Sequence, residues 1–528
     1  MKNFNDLIIY EIYLRSFKDS NGDGVGDFNG VREKLDYLQE LGVNAIWLSP
    51  CYESPNFDNG YDISNYTQVS KEYGNINDLQ CLLDDMHKRN MKLIMDLVVN
   101  HTSIYHPWFQ EAKKSRDNPY HDYYIWADKP LNQWKSVFGG SAWEYNKDTD
   151  EYYLHSFAKE QADLNWENKK VRQQCKKIVE FWTDFGVDGF RCDVLDFIAK
   201  DFVKNKMYDG PKLHEYIKEL FSGRRLNNLF TIGECQSKAE NIEKICGKDR
   251  KELTTVFQFD HIRLGVKDKY KFNKLNLNKL KKTLVKWQEF CQEKDLYYTI
   301  FTDNHDQPYF LSRIASENNR YYASTMLCAC FFLLKGIPVF YQTQEYGSIN
   351  PFYDDIKQFN DVETINYYNA NQGVKFLLQK VNTGSRDNTR RPFAWTNKKR
   401  DNFGFSTGKP WIAVNSNAKE INLETDTQAR LSVFKFYQAI ISLRNHYECI
   451  RYGDFINISK NKRNCFIYER KYKNQSIIVV CNFDKEKTIR LPNDLQTDNY
   501  RLVLSNIPDC SPLDSRFKPF EVRVFLKE

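Results

Sequence analysis

The chain has 528 residues, 41% hydrophobic and 28% charged, and its 76 basic and 70 acidic residues leave a net charge of +6. This is a soluble globular composition. It has no apolar run near the ~20 residues of a membrane span and no basic tract of the kind that holds nucleic acid. Thirteen cysteines, an odd number without a C-x-x-C pair, argue against a stapled secreted scaffold. The first ten residues lack the apolar stretch and cleavage site of a secretory signal, so a cytoplasmic protein is expected, acting as a monomer.

Ile8 to Tyr13 reads as a strand, and Val31, Leu35, Leu38 and Leu41 follow at helical spacing up to Gly42. Asn44 to Leu48 is a second strand. Leu79, Leu82, Leu83 and Met86 mark an amphipathic helix closed by Asn90, and Met91 to Val99 is the fully apolar strand of a parallel sheet. From His101 to about Trp166 the alternation breaks into an aromatic, polar stretch that reads as an inserted loop domain. It resumes with a helix over Val171 to Asp184 and strands at Val187 to Asp193, Leu229 to Gly233, Val256 to Phe259 and Tyr297 to Phe301. A helix over Tyr322 to Leu334 and a strand at Ile337 to Tyr341 follow.

Eight strands alternating with helices predict an α/β fold, a (β/α)₈ barrel with an insertion after the third strand. The barrel spans residues 1–100 and 167–450, the inserted domain 101–166, and a second, irregular insertion about 346–430. Ser432 to His446 reads as the closing helix. Short alternating runs beyond Tyr452, such as Phe466 to Tyr468, Ile477 to Val480, Thr488 to Leu491 and Phe520 to Leu526, predict a C-terminal antiparallel β-domain over 451–528, of sandwich type.

In such a barrel, reactive side chains project from the C-terminal strand ends. The residues there are mostly acids: Asp96, Asp193, Glu234 and Asp306, with His101, His305 and Arg191. One acid at a strand end is usually a helix cap, but several on different strands are harder to explain that way. Arg191 and Asp193 lie two apart on one face, whereas Cys192 points away among the helices, which disfavours a thiol nucleophile. Convergent carboxylates suit glycoside hydrolysis, and close pairs push their pKa values apart.

The segments Asp96 to His101, Gly189 to Val194, Thr231 to Glu234 and Asn304 to Asp306 resemble the four signature regions of the α-amylase family of glycoside hydrolases. Gln161 to Asn165 and Arg386 to Pro392 are closest to its oligo-1,6-glucosidase and dextran glucosidase group. The resemblance implies Asp193 as nucleophile, Glu234 as acid/base and Asp306 as a holder of sugar hydroxyls, with retention of configuration and the first two carboxyls about 5 Å apart. It implies a glucose subsite lined by Tyr61, Asp62, His101, Arg191, His305 and Arg390, with Phe157 as an apolar wall. Arg191 would keep Asp193 ionised. Val194, branched and apolar, resembles members that cleave α-1,6 bonds.

Asp19-Ser20-Asn21-Gly22-Asp23-Gly24-Val25-Gly26-Asp27 sets oxygens at alternate positions, the spacing that wraps a hard cation. The EF-hand pattern fails, because its twelfth position is Gly30 rather than glutamate. The loop is similar to the structural calcium site of this glucosidase group, which implies Asp19, Asn21, Asp23, the Val25 carbonyl and Asp27 as ligands. Magnesium, or a plain solvated turn, is the alternative. The chain departs from the family at Tyr309, where Arg is usual, at Thr343 and Gln344, where Gly and Glu are usual, and at Ala162, where Pro is usual. The reading is an exo-acting α-glucosidase releasing glucose from isomaltose-type oligosaccharides. Its rivals are a trehalose-6-phosphate hydrolase, a sucrose isomerase or glucosyl transferase, and an inactive sugar-binding or transporter-accessory barrel.

Overall fold

The apolar runs become one ring of parallel strands: β1 (Ile9–Ile12), β2 (Ala45–Leu48), β3 (Lys92–Leu97), β4 (Gly189–Cys192), β5 (Phe230–Gly233), β6 (Thr255–Val256), β7 (Thr299–Ile300) and β8 (Ile337–Tyr341). They pair in the order β6-β5-β4-β3-β2-β1-β8-β7, and a parallel bridge between Phe257 and Thr299 closes the ring. This is a computed structural model, describing residues 4–236, 238–247, 252–273, 275–459, 464–490, 499–511 and 514–528. β1, β2, β4, β5 and β8 are wholly buried, and β3 is buried beyond its first residue, Lys92, as expected for strands walled by helices on one side and packed on the barrel axis on the other. The weaker strand at Val256 to Phe259 pairs one residue earlier than the sequence suggests.

The periodic run ending at Gly42 forms two helices, α1 (Phe28–Glu33) and α2 (Leu35–Leu41), broken at Lys34. Gly42 takes φ 95° and closes α2 in the left-handed region, where the lack of a Cβ removes the steric penalty. α3 (Ile76–Lys88) starts on an Asn75 capping box, which satisfies two of the free N–H groups of its first turn. α4 (Lys169–Phe185) is capped by Asn168 at its start and by Gly186 at its end.

The insertion is anchored by an antiparallel pair, His101–Ser103 against Gln161–Asp163, and carries a three-stranded sheet beyond it. The stretch 346–430, expected to be irregular, holds three α-helices, Val362–Ala370, Leu377–Gly384 and Leu423–Gln428, besides short 3-10 turns. Five C-terminal strands, Asp454–Asn457, Cys465–Tyr472, Gln475–Asn482, Arg501–Ser505 and Val522–Lys527, form one antiparallel sheet. The run expected at Thr488 to Leu491 is seen as Ile489–Arg490; Leu491 lies outside the described residues. Phe466, Tyr468, Ile477 and Val479 on one face of the sheet join the core of the barrel. Ile467, Ile478, Val480 and Phe525 on the other face pack with Phe517.

None of the thirteen cysteines forms a disulfide. Among the described residues, no helix is long and apolar enough to cross a membrane.

Candidate active site

Strand register builds the centre. Arg191 on β4 pairs directly with Asp96 on β3, so their side chains leave the barrel on the same side and meet at 2.8 Å. Arg191 Nη1 also donates to Asp193 Oδ1 at 2.7 Å, and Nη2 donates to Glu234 Oε2. One guanidinium, almost wholly buried, therefore holds three carboxylates from the ends of β3, β4 and β5. The backbone continues the arrangement: Val194 N–H donates to Glu234 Oε2 at 3.3 Å, and Leu195 N–H to the Glu234 carbonyl at 2.9 Å. Val194 takes φ 35°, ψ 46° to do so, a left-handed conformation rarely adopted by a β-branched residue and common at functional sites.

Asp306 is held from another side. Arg390 Nη2 lies 2.7 Å from its Oδ1, and His305 Nε2 lies 3.0 Å from its Oδ2. His305 Nδ1 meets Glu11 Oε1 at 2.5 Å, and its Nε2 meets Tyr61 Oη at 2.6 Å, which in turn donates to Asp96 at 3.0 Å. Burial pulls His305 toward neutrality, but Asp306 and Glu11 outweigh it and lift its pKa to about 9, so the ring is charged at neutral pH. Burial also pushes Asp306 up, yet His305, Arg390 and Arg386 hold it well below the usual carboxylate range.

Asp193 goes the other way. Desolvation lifts its carboxyl well above the usual range, Arg191 opposes the rise, and Glu234, Asp96 and Asp306 add to it. Arg191 touches Asp193 as expected, but its pull toward the ionised form is opposed by burial and by three neighbouring acids. Cys192 is fully buried, and its thiol is pushed up, chiefly by burial, in keeping with a packing residue.

These groups open on a cavity of about 390 Å³ lined in part by Tyr61, His101, Phe157, Asp193, Val194, Glu234 and Asp306. Arg191 and His305 sit behind this lining, braced against it. Two expected contacts are corrected. Asp62 does not face the cavity: its carboxylate accepts the Phe57 and Asp58 N–H groups at 3.0 and 2.9 Å, and burial, opposed by those bonds, raises its pKa to about 7. Asp58 lines the cavity instead, because the chain turns back through Asn56, Asn59 and Gly60, all at positive φ. Arg390 is likewise fully buried beneath Asp306. Arg386, one turn earlier, reaches the cavity and meets Asp58 at 3.0 Å and Asp361 at 2.8 Å.

Sequence reasoning also missed Gln161 as a lining group; its Nε2 donates to Asp58 at 3.2 Å. Lys269 and Glu363 form an ion pair at the rim. They lie on segments with no motif of their own.

The departures at Tyr309 and Thr343 meet: Tyr309 Oη and Thr343 Oγ1 are 2.5 Å apart. Thr343 has φ 76°, a conformation that suits the usual glycine and strains a threonine.

In the 19–27 loop, Asp19 accepts the Asn21, Gly22 and Gly24 N–H groups and the Ser406 hydroxyl. Burial pushes its pKa up, but those bonds outweigh it and hold it below the usual range. Asn21 accepts the Asp23 N–H, Asp23 accepts the Val25 N–H, and Asp27 caps α1 through the Gly30 N–H. Gly22 and Gly24, at φ 84° and 94°, let the turn close. Among the described residues, no three His, Cys, Asp or Glu side chains converge as a metal cluster. A cation here would depend on Asn21 and the Val25 carbonyl as much as on carboxylates. The donor set is oxygen throughout, which fits a hard cation.

Acids from separate strand ends, gathered over a small cavity at the C-terminal mouth of an eight-stranded barrel, are the equipment of a glycoside hydrolase. The sequence matches the α-amylase catalytic domain over residues 11–453, and the chain belongs to the α-amylase family. It is 40% identical over 553 residues to an oligo-1,6-glucosidase of Bacillus cereus, covering 99% of both chains. It is 39% identical to a trehalose-6-phosphate hydrolase of Bacillus subtilis (strain 168), covering 98% of this chain and 97% of that one. The crystal structure of the Bacillus licheniformis trehalose-6-phosphate hydrolase superposes with a TM-score of 0.91 at 37% identity, covering 99% of both chains.

Proposed function

We propose that the protein is a cytoplasmic, retaining, exo-acting α-glucosidase that cleaves α-1,6 bonds of isomaltose-type oligosaccharides. The observation that carries this is Arg191, whose two terminal nitrogens hold Asp193 and Glu234 side by side. In the proposed reaction Asp193 attacks the anomeric carbon while Glu234 protonates the leaving oxygen. Glu234 then takes a proton from water as the covalent ester is hydrolysed. Asp306, kept ionised by His305, Arg390 and Arg386, binds hydroxyls of the reacting sugar as positive charge develops at C1. The Asp58–Arg386 pair, 3.0 Å apart in the cavity lining, supports an exo mode, because fixed charged groups there suit the hydroxyls of a terminal sugar.

Val194 packs with Phe138, Phe157 and Phe197 in the cavity wall, which supports a role in linkage choice. Val194→Thr is expected to raise the maltose-to-isomaltose rate ratio by up to about tenfold, read from kcat/KM on the two disaccharides. An unchanged ratio makes the residue a bystander. The trehalose-6-phosphate reading is weaker, since the rim ammonium of Lys269 is already paired with Glu363 and a phosphate there would meet a carboxylate. Purified protein is incubated with isomaltose, maltose, sucrose and trehalose-6-phosphate, and glucose release is measured with the anomer first formed. Glucose from isomaltose as the α-anomer supports the reading; glucose from maltose but not isomaltose, or a β-anomer, defeats it.

The 19–27 loop is proposed to hold calcium, bound by Asp19, Asn21, Asp23, the Val25 carbonyl and Asp27, with a structural role in tying the loop to Ser406. At about a hundredfold excess over Kd, a bound ion adds about 2.7 kcal/mol. Calcium should therefore raise Tm over chelator, and Asp23→Ala should remove the gain. Equal Tm values with and without chelator would defeat the assignment.

A further inference from the structure

The active-site cavity does not end at the Lys269–Glu363 pair. Val137, Phe138, Lys269 and Glu363 also line a second chamber of about 650 Å³. Its walls come from three segments far apart in sequence: the 137–140 turn of the insertion, residues 268–270, and the helix Val362–Ala370 with Asn371 after it. Asn366 Nδ2 donates to the Phe138 carbonyl at 3.3 Å and joins the first to the last. A Cβ built on Gly139 or Gly140 meets nothing within 4 Å, so this wall leaves open space. Tyr270 and Tyr367 stack at 4.0 Å between ring centroids, with planes 28° apart, and the amides of Asn366 and Asn369 stand beside them. Aromatic faces with neutral amides suit a neutral polyhydroxylated ring, which offers C–H faces to the one and hydroxyls to the other. An anion would meet Asp268 and Glu363 in the same lining.

We infer that this chamber is an aglycone-extension subsite receiving a third glucosyl unit, one beyond the sugar that leaves over Lys269 and Glu363. The inference rests on the glucosidase reading above and adds to it a preference for trisaccharides over disaccharides. Tyr367 supplies the platform, and the amides fix the orientation of the unit.

The test is the ratio of kcat/KM for isomaltotriose to that for isomaltose. It should be about tenfold in the wild type, the size of one stacking contact. Ala370→Trp, which fills the chamber, and Tyr367→Ala, which removes the platform, should each bring the ratio toward one, through KM rather than kcat. A wild-type ratio near one overturns the assignment, as does a tenfold ratio that survives both substitutions in variants of unchanged Tm. Should neither isomalto-sugar be cleaved, the linkage reading falls by itself, and the same three proteins are compared on maltotriose and maltose. The chamber then stands or falls on that ratio.

Discussion

Asp193→Asn is expected to lower kcat on isomaltose by on the order of 10⁴-fold or more while leaving Tm unchanged or raised. The loss follows from the proposed reaction: an amide cannot form the glycosyl ester. Stability follows from the burial of the carboxyl, which raises its folded-state pKa well above the ordinary value. Between the unfolded and folded pKa values the native state binds more protons than the unfolded one, so stability falls as pH rises through that window. At neutral pH an ionised Asp193 therefore weighs against the fold, and a neutral amide of the same shape removes that weight. Arg191 keeps its bonds to Asp96 and Glu234. Steady-state rates and calorimetry on the same preparation check both halves; residual activity near wild type would remove Asp193 from the reaction.

The second large effect is expected at Arg386. Arg386→Met removes the partner of Asp58 and Asp361 together, and breaking buried pairs by deleting one member costs about 3–5 kcal/mol. Burial pushes Asp361 up, but Arg386, Lys269 and Arg390 outweigh it and hold it below the usual carboxylate range. A depressed carboxylate contributes stability above its unfolded pKa, and that stability is lost as pH falls through the folded value. The cost of the substitution should thus be full at neutral pH and shrink in acid. Urea unfolding at pH 7 and near pH 3 reads the difference, and a cost independent of pH would show that the pair contributes packing alone. Activity should fall as well, because Arg386 reaches the cavity while Arg390 does not.

The last contrast shows what the sequence could and could not reveal. The eight strands were legible because apolar runs of strand length alternate with helical periods, and each acid at a strand end was legible because barrel geometry points that end at the site. The choice within Asp58/Asp62 and within Arg386/Arg390 was not. Both members of each pair are polar and four residues apart, and what separates them is a turn through Asn56, Asn59 and Gly60 in one case and a 3-10 turn over Arg386–Asn388 in the other. Lys269 and Glu363 gave no local signal either, and Gln161, though it opens a family-like motif, was not marked as a lining group: their place depends on how the insertion, the loop around residue 269 and the 346–430 segment dock over the barrel mouth. The break at Lys34 and the helices within 346–430 were missed because short elements leave little periodicity to read.

Tyr309 and Thr343, which touch across 34 positions of chain, have a consequence for ancestry and for engineering. Neither residue makes sense alone: a threonine at φ 76° is strained, and the phenol beside it shares a short hydrogen bond with that same hydroxyl. A chimera with a relative carrying arginine and glycine at these positions holds this region together only when both come from one parent. A crossover falling between them separates a matched set, and substitutions here must be inherited as a couple.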